Sequence, residues 1–205
     1  MGAGPRLVVA TTNPNKLREI RGIMEGAGVD LVGLDAFPPV AEPEETGATF
    51  AENARQKAAY YSAALGSLVV AEDSGLEIDG LGGEPGVQSA RYGGPEAATY
   101  PQKFALVYAG LRAKGAMGCA ARFVCALAVA GGPRILFEAR GTIEGRVNDA
   151  PAGNGGFGYD PIFFYPPLGR TLAQLDEREK ASVSHRGQAF RRLREHLASH
   201  PSWML

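Results

Sequence analysis

The chain has 205 residues, 45% of them hydrophobic and 21% charged, an ordinary globular composition in a length that can bury a sizeable core within a single domain, 1–205. Its 21 basic and 22 acidic residues leave a formal charge of -1, which excludes the electrostatic footprint expected of a binder of nucleic-acid polymers or anionic membranes. No apolar run approaches the roughly 18 residues that cross a bilayer, and no cationic stretch followed by a long apolar one stands at the start, so a cytoplasmic protein without a membrane partner is expected.

Arg6 to Thr11 reads as a first strand, and Thr11-Thr12-Asn13-Pro14-Asn15-Lys16 turns it into a helix. Asn13 suits the N-cap and Pro14 the first helical position, where its missing N–H is no loss. Leu17, Ile20, Ile23, Met24 and Ala27 share one helical face, and Gly26 and Gly28 close the helix. Lys16 is less ordinary, because a cation in a first turn opposes the positive end of the macrodipole. It reads either as a solvated lysine beside a simple cap or, with amide N–H groups and two threonine hydroxyls, as part of a phosphate cradle. The Gly-x4-Gly-Lys spacing of a Walker loop is absent.

A second strand, Asp30 to Leu34, leads into a loop rich in proline and acid, Phe37 to Thr46, with Glu42, Glu44 and Glu45. Thr49-Phe50-Ala51-Glu52 then opens a helix with a capping-box pattern, and Gly66 ends it after Leu65. Leu68-Val69-Val70-Ala71 reads as a buried strand that stops at Glu72-Asp73-Ser74-Gly75, placing two acids where a strand leaves the core. Sites in α/β folds form at such ends. Adjacent buried carboxylates lose solvation unless a metal, a donor or water meets them.

An alternating segment, Leu76 to Leu81, precedes the glycine-rich Gly82-Gly83-Glu84-Pro85-Gly86, and a helix is expected from about Pro95 to Lys114. Arg122 to Ala130, a Gly131-Gly132-Pro133 turn and Ile135 to Ala139 read as an antiparallel pair that runs on through Thr142 to Val147. Cys119 and Cys125 share a strand face about 20 Å apart, too far for a disulfide. Free, buried thiols are expected. Four glycines then surround two rings and an acid in Gly153 to Pro161, and the rings suit either stacking on a planar ligand or plugging the core. Thr171 to His200 has helical character, with Phe190, Leu193 and Leu197 on one side, and His185 beside Arg186 reads by itself as a solvated helix start.

Taken in order, Thr11 to Lys16, Glu72 to Leu76, Gly82 to Gly86, Phe157-Gly158-Tyr159-Asp160-Pro161-Ile162-Phe163, and Lys180 with Ser184-His185-Arg186-Gly187 resemble the Ham1/inosine triphosphatase family over about Leu7 to Leu197. Thr12 stands where many relatives carry glycine. The resemblance implies an α/β fold with an elongated mixed β-sheet flanked by helices, two lobes with a central active-site cleft, and a homodimer. It implies hydrolysis of purine nucleoside triphosphates with deaminated bases (ITP, dITP and XTP) to the monophosphate and pyrophosphate, cleansing the nucleotide pool. It assigns Thr11, Thr12, Asn13, Pro14, Asn15, Lys16, Ser74, Phe157, Gly158, Tyr159, Asp160, Lys180, His185 and Arg186 to the nucleotide. Glu44 and Asp73 are assigned to Mg²⁺, with Asp73 also the proton acceptor. The residues themselves leave Glu44, Glu45 and Glu72 open as the second metal ligand. A hydrolase of other modified nucleotides and a non-hydrolytic purine-nucleotide module are the competing expectations.

Overall fold

The computed structural model describes residues 5–200. Among them, seven strands form one mixed sheet in the order β2-β1-β3-β4-β5-β6-β7. The strands are β1 (Arg6–Val9), β2 (Asp30–Gly33), β3 (Leu68–Ile78), β4 (Ala120–Gly131), β5 (Arg134–Val147), β6 (Phe163–Tyr165) and β7 (Arg170–Thr171). β1 pairs in parallel with β2 and with β3, whereas β6 pairs antiparallel with β5 and with β7. The helices are α1 (Pro14–Ile23), α2 (Phe50–Leu65), α3 (Tyr100–Ala113), α4 (Glu177–Val183) and α5 (His185–Ser199). The mixed α/β architecture is the one expected.

Two compact units share β3, β4 and β5. The first unit contains the chain up to Asp73, Cys125–Gly141, and the chain from His185 onward. Its parallel core buries Leu7, Val8, Val69 and Val70 completely, together with Ile20 of α1, Ala54 and Ala58 of α2 and Leu193 of α5. Local sequence explains the helices: Asn13 caps α1 ahead of Pro14, and Thr49 and Glu52 form a reciprocal capping box on α2. α2 ends at Gly66, whose φ of +58° is a conformation glycine adopts without a Cβ clash. Met24, ahead of the two glycines expected to close it, is the C-cap of α1.

The second unit, Ser74–Val124 and Thr142–Ser184, has its own core, in which Leu76, Ile78, Val107, Leu111, Ile162 and Phe163 are almost wholly buried. α3 is shorter than its expected span because a short 3-10 turn, Gly94–Ala97, precedes it. The turn between β4 and β5 falls at Gly132-Pro133, close to where the glycines placed it.

One expectation is overturned here. β3 does not stop at the acids but runs on to Ile78, so Glu72 and Asp73 are buried in mid-strand. The alternating Leu76-Glu77-Ile78 sustains the extended backbone, and the two carboxylates stay inside because each meets a cation.

Candidate active site

The first unit gathers most of the expected residues. In the turn after β1, the Asn13 side chain accepts from the amides of Asn15 (2.9 Å) and Lys16 (3.3 Å), and Thr11 Oγ1 accepts from the Asn13 amide at 3.1 Å. These amides are thus engaged within the turn itself, and Thr12 is its exposed hydroxyl, while the Lys16 ammonium turns toward β3. Lys16 Nζ lies 2.9 Å from Glu72 Oε1.

Glu72 is the hub of this face. Its Oε1 also accepts from Arg186 at 3.2 Å, and its Oε2 lies 3.4 Å from Cys125 Sγ. Burial alone would raise the Glu72 carboxyl, but the Arg186 guanidinium and the Lys16 ammonium override it and hold the group well below the usual carboxylate range. Arg186 donates besides to Glu19 of α1 at 2.7 Å. Burial works against its charge, and Glu72 and Glu19 more than restore it. The solvated helix start expected for His185 and Arg186 is therefore replaced by a buried one, with Arg186 only 1% exposed. Gly141 of β5 makes that close approach possible, since a Cβ there would land 2.0 Å from the His185 carbonyl oxygen.

Asp73 meets different neighbours. Asn53 Nδ2 donates to its Oδ2 at 3.0 Å, and Lys57 Nζ lies 3.8 Å from its Oδ1. Burial pushes the Asp73 carboxyl up; Lys57 and Asn53 restrain the rise, while Glu45 and Glu72 add to it. Lys57 also donates to Glu45 Oε1 at 2.6 Å, and Asp73 and Glu45 raise the lysine against the opposing effect of its own burial. The acids differ in placement: Glu44 is exposed, while Glu45 reaches Lys57. Sequence reasoning passed over Asn53 and Lys57. The available signal was two polar residues, i and i+4, set among Phe50, Ala54, Ala58 and Tyr61 on the buried face of α2.

The second unit holds the rest. Asp160 Oδ2 accepts from the Phe157 amide at 2.7 Å and from Lys180 Nζ at 2.5 Å. The Lys180 ammonium stands 4.7 Å above the Phe157 ring centroid, within cation–π reach. The two rings of this turn divide the two uses the sequence allowed. Phe157 is partly exposed, whereas Tyr159 is core: its ring sits edge-on to Tyr100 at 5.4 Å, and its hydroxyl donates to the Ser89 carbonyl at 3.0 Å. Tyr159 can therefore serve a ligand through its backbone but not by stacking. Gly158 adjoins it at a φ of +69°, and Ser74 is half-buried at the start of this unit's share of β3.

Among the described residues no three His, Cys, Asp or Glu side chains gather in a form that could hold a metal. The paired carboxylates near Asp73 nevertheless suit a hard divalent cation that takes one or two protein oxygens and completes its shell with phosphate and water.

The profile of the Ham1 family matches residues 7–196. The chain belongs to the Ham1 family. A dITP/XTP pyrophosphatase of Exiguobacterium sp. is 45% identical over 188 residues, covering 92% of this chain and 94% of that relative. One of Thermus thermophilus is 44% identical over 192 residues, 94% of this chain and 91% of the relative. The structure of a Ham1 protein from Coxiella burnetii superposes with a TM-score of 0.87 at 37% identity, covering 95% of this chain and 99% of that one. With this Ham1 membership the mixed seven-stranded sheet has solved counterparts.

Proposed function

We propose that the chain is a hydrolase that splits the α–β phosphoanhydride of deaminated purine nucleoside triphosphates (dITP, ITP and XTP), releasing the monophosphate and pyrophosphate and keeping such bases out of DNA and RNA. The observation that carries this reading is the Asp73 carboxyl, buried beside Asn53 and Lys57 and pushed up from its ordinary range. The names of the relatives, dITP/XTP pyrophosphatases, support the substrate class.

Asp73 accepts a proton from the attacking water, a role favoured by a carboxyl whose proton affinity has risen. Lys57 restrains that rise. Asn53 fixes the rotation of the carboxylate, because its own oxygen accepts from the Gly47 amide at 2.8 Å while its nitrogen donates to Asp73. Lys16 exchanges Glu72 for phosphate oxygens. Arg186 stays on Glu72 and leaves no buried carboxylate uncompensated when it does. Thr11, Asn13, Pro14 and Asn15 hold that first turn in shape, and the Thr12 hydroxyl is free to donate to phosphate.

Asp73 with a glutamate of the preceding loop, Glu44 by family resemblance or Glu45 by proximity to Lys57, would hold Mg²⁺, which when bound supplies charge for the phosphate oxygens. Phe157 offers a stacking face for the purine, steadied by Lys180 and Asp160. A 6-keto base accepts a hydrogen bond where adenine presents a 6-amino donor, so a donor at that position, from His185 or the 157–160 backbone, leaves adenine mismatched. Ser74 lies beside the base Asp73 in sequence and belongs with the nucleotide contacts. We include in this reading a homodimer that works in the cytoplasm; among the described residues no helix is long and apolar enough to cross a membrane.

The test is pyrophosphate release from dITP, XTP, ITP, dGTP and ATP with Mg²⁺ and with excess chelator. Metal-dependent release that strongly favours the deaminated substrates supports the reading. Retention of ITP without release of pyrophosphate would point to a binding module instead.

A further inference from the structure

Between Phe123 and Ala130 on β4, Cys125 is the one side chain that carries a hydrogen-bond donor; the others are apolar. It is wholly buried, and its thiol is free. A small apolar side chain would fill this place in the strand at no polar cost, so packing alone gives no reason for sulfur. The thiol donates to Glu72 Oε2, with Sγ 3.4 Å from the oxygen.

The two oxygens of Glu72 have different neighbours. Oε1 meets both cations, Lys16 at 2.9 Å and Arg186 at 3.2 Å, whereas Oε2 accepts from the thiol. Burial, and after it the charge of Glu72, raise the Cys125 thiol well above its ordinary range against the opposing pull of Arg186 and Lys16, so the sulfur keeps the proton it donates. Lys16 and Arg186 already balance Glu72 and Glu19 in charge. A third cation in place of Cys125 would upset that balance, and an apolar group would strip Oε2 of this donor. A neutral donor does neither. A buried carboxylate oxygen without a donor is costly, and a carboxylate short of donors holds its remaining cations more tightly.

We propose, taking a triphosphate as the partner that Lys16 receives in the proposed function, that Cys125 is a positioning residue for nucleotide binding: by donating to Glu72 Oε2 it lets Lys16 exchange that carboxylate for phosphate oxygens. With the thiol in place, Glu72 keeps Arg186 on one oxygen and a neutral donor on the other after the lysine has left. Without the thiol, only Arg186 remains, the exchange costs more, and affinity for the triphosphate falls. Lys16, Glu72, Cys125 and Arg186 all belong to the first unit.

An isosteric pair of substitutions tests this. Cys125→Val and Cys125→Thr have the same branched shape, which suits a strand, and differ by one hydroxyl. The probe is α,β-imido-dITP, whose α–β bridge is not hydrolysed, titrated calorimetrically into the full-length protein with Mg²⁺. Cys125→Val should weaken binding about threefold to tenfold, the size of one modest hydrogen bond, while Cys125→Thr should bind as well as the parent or better. Cys119→Ala, at the thiol outside the first unit, should leave affinity unchanged. Thermal melts establish that each variant is folded, and the smaller pair Cys125→Ala and Cys125→Ser repeats the comparison where the branched side chains destabilise β4. A packing role predicts the reverse order, because a buried hydroxyl costs more than a methyl of the same shape. Equal affinities in the Val and Thr variants, tighter binding by the Val variant, or no binding by the parent would each overturn the proposal. Since the probe is not hydrolysed, a parent that binds it in the expected order of variants but leaves dITP intact would count against the hydrolase reading and not against the role of Cys125.

Discussion

Glu72 and Asp73 are neighbours on one strand and are both buried, yet their environments drive them in opposite directions. Alternation along β3 sends their side chains to opposite faces. Glu72 enters a trap of Lys16 and Arg186 and is held ionised, while Asp73 meets a neutral amide, a lysine already shared with Glu45, and two further carboxylates, so burial wins. Solvation loss is common to both; what differs is the balance of cations within reach. One carboxylate organises the turn of α1 and the start of α5, and the other keeps a proton affinity above that of an ordinary carboxylate.

The sharpest way to break this comparison is Asp73→Asn. It keeps the side-chain shape and removes the proposed proton acceptor, so kcat for dITP should fall by about 10²- to 10⁴-fold, the usual contribution of general-base catalysis. Stability should move the other way. A carboxyl raised in the folded state contributes stability below its unfolded pKa and loses it as pH rises through the folded value. At neutral pH Asp73 is thus a burden, and the amide variant should melt at a higher temperature than the parent. Unchanged turnover would remove Asp73 from the role of base.

Glu72→Gln should show the mirror image. A depressed carboxyl contributes stability above its unfolded pKa and loses it as pH falls through the folded value. The variant should therefore be less stable by about 3–5 kcal/mol at neutral pH, the loss expected when buried cations keep no counter-charge, and should approach the parent as the solution is acidified. Denaturant unfolding at neutral and acidic pH measures both limits, and a deficit independent of pH would show that Glu72 acts through packing alone. Lys57→Met has a smaller and more specific effect. With that cation removed, the Asp73 carboxyl rises further, so the acid limb of the kcat/KM profile should move to higher pH while the plateau changes less. A limb that stays in place would mean that Lys57 does not tune Asp73.

The same contrast explains what was legible in the sequence. Local chemistry was readable: the Asn13 cap before Pro14, the Thr49–Glu52 box and the left-handed Gly66 each depend on a few adjacent residues. The order of the short motifs carried the family. The course of β3 was not readable, because a buried acid looks like the end of a strand until its partner is known, and those partners are far along the chain: Arg186 is 114 residues from Glu72, and Asn53 is 20 from Asp73. Arg186 looked solvated for the same reason, since Glu19, 167 residues away, is one of the groups that make its burial tolerable. Asn53 and Lys57 were visible only as polar interruptions of an apolar helix face, and their meaning depends on Asp73 lying opposite.

The gentlest prediction concerns the second unit, where Phe157 and Tyr159 repeat the contrast with rings in place of acids. Both sit in one glycine-rich turn, but Phe157 is partly exposed under Lys180, and Tyr159 is packed against Tyr100 and Phe104 with its hydroxyl on the Ser89 carbonyl. Ser89 in turn accepts from the Leu76 amide through its own hydroxyl at 2.9 Å, so the Tyr159 bond ties the turn to the strand that continues from Asp73. Tyr159→Phe keeps the ring and removes that single bond, which should lower stability by about 1 kcal/mol and leave the preference for dITP over dGTP nearly unchanged. Phe157→Leu should do the reverse, sparing stability while weakening nucleotide binding, because a stacking face is worth about 1–3 kcal/mol per base. If Tyr159→Phe instead altered base preference as much as Phe157→Leu, the buried ring would have to be counted among the groups that read the base, and the division of labour within this turn would be wrong.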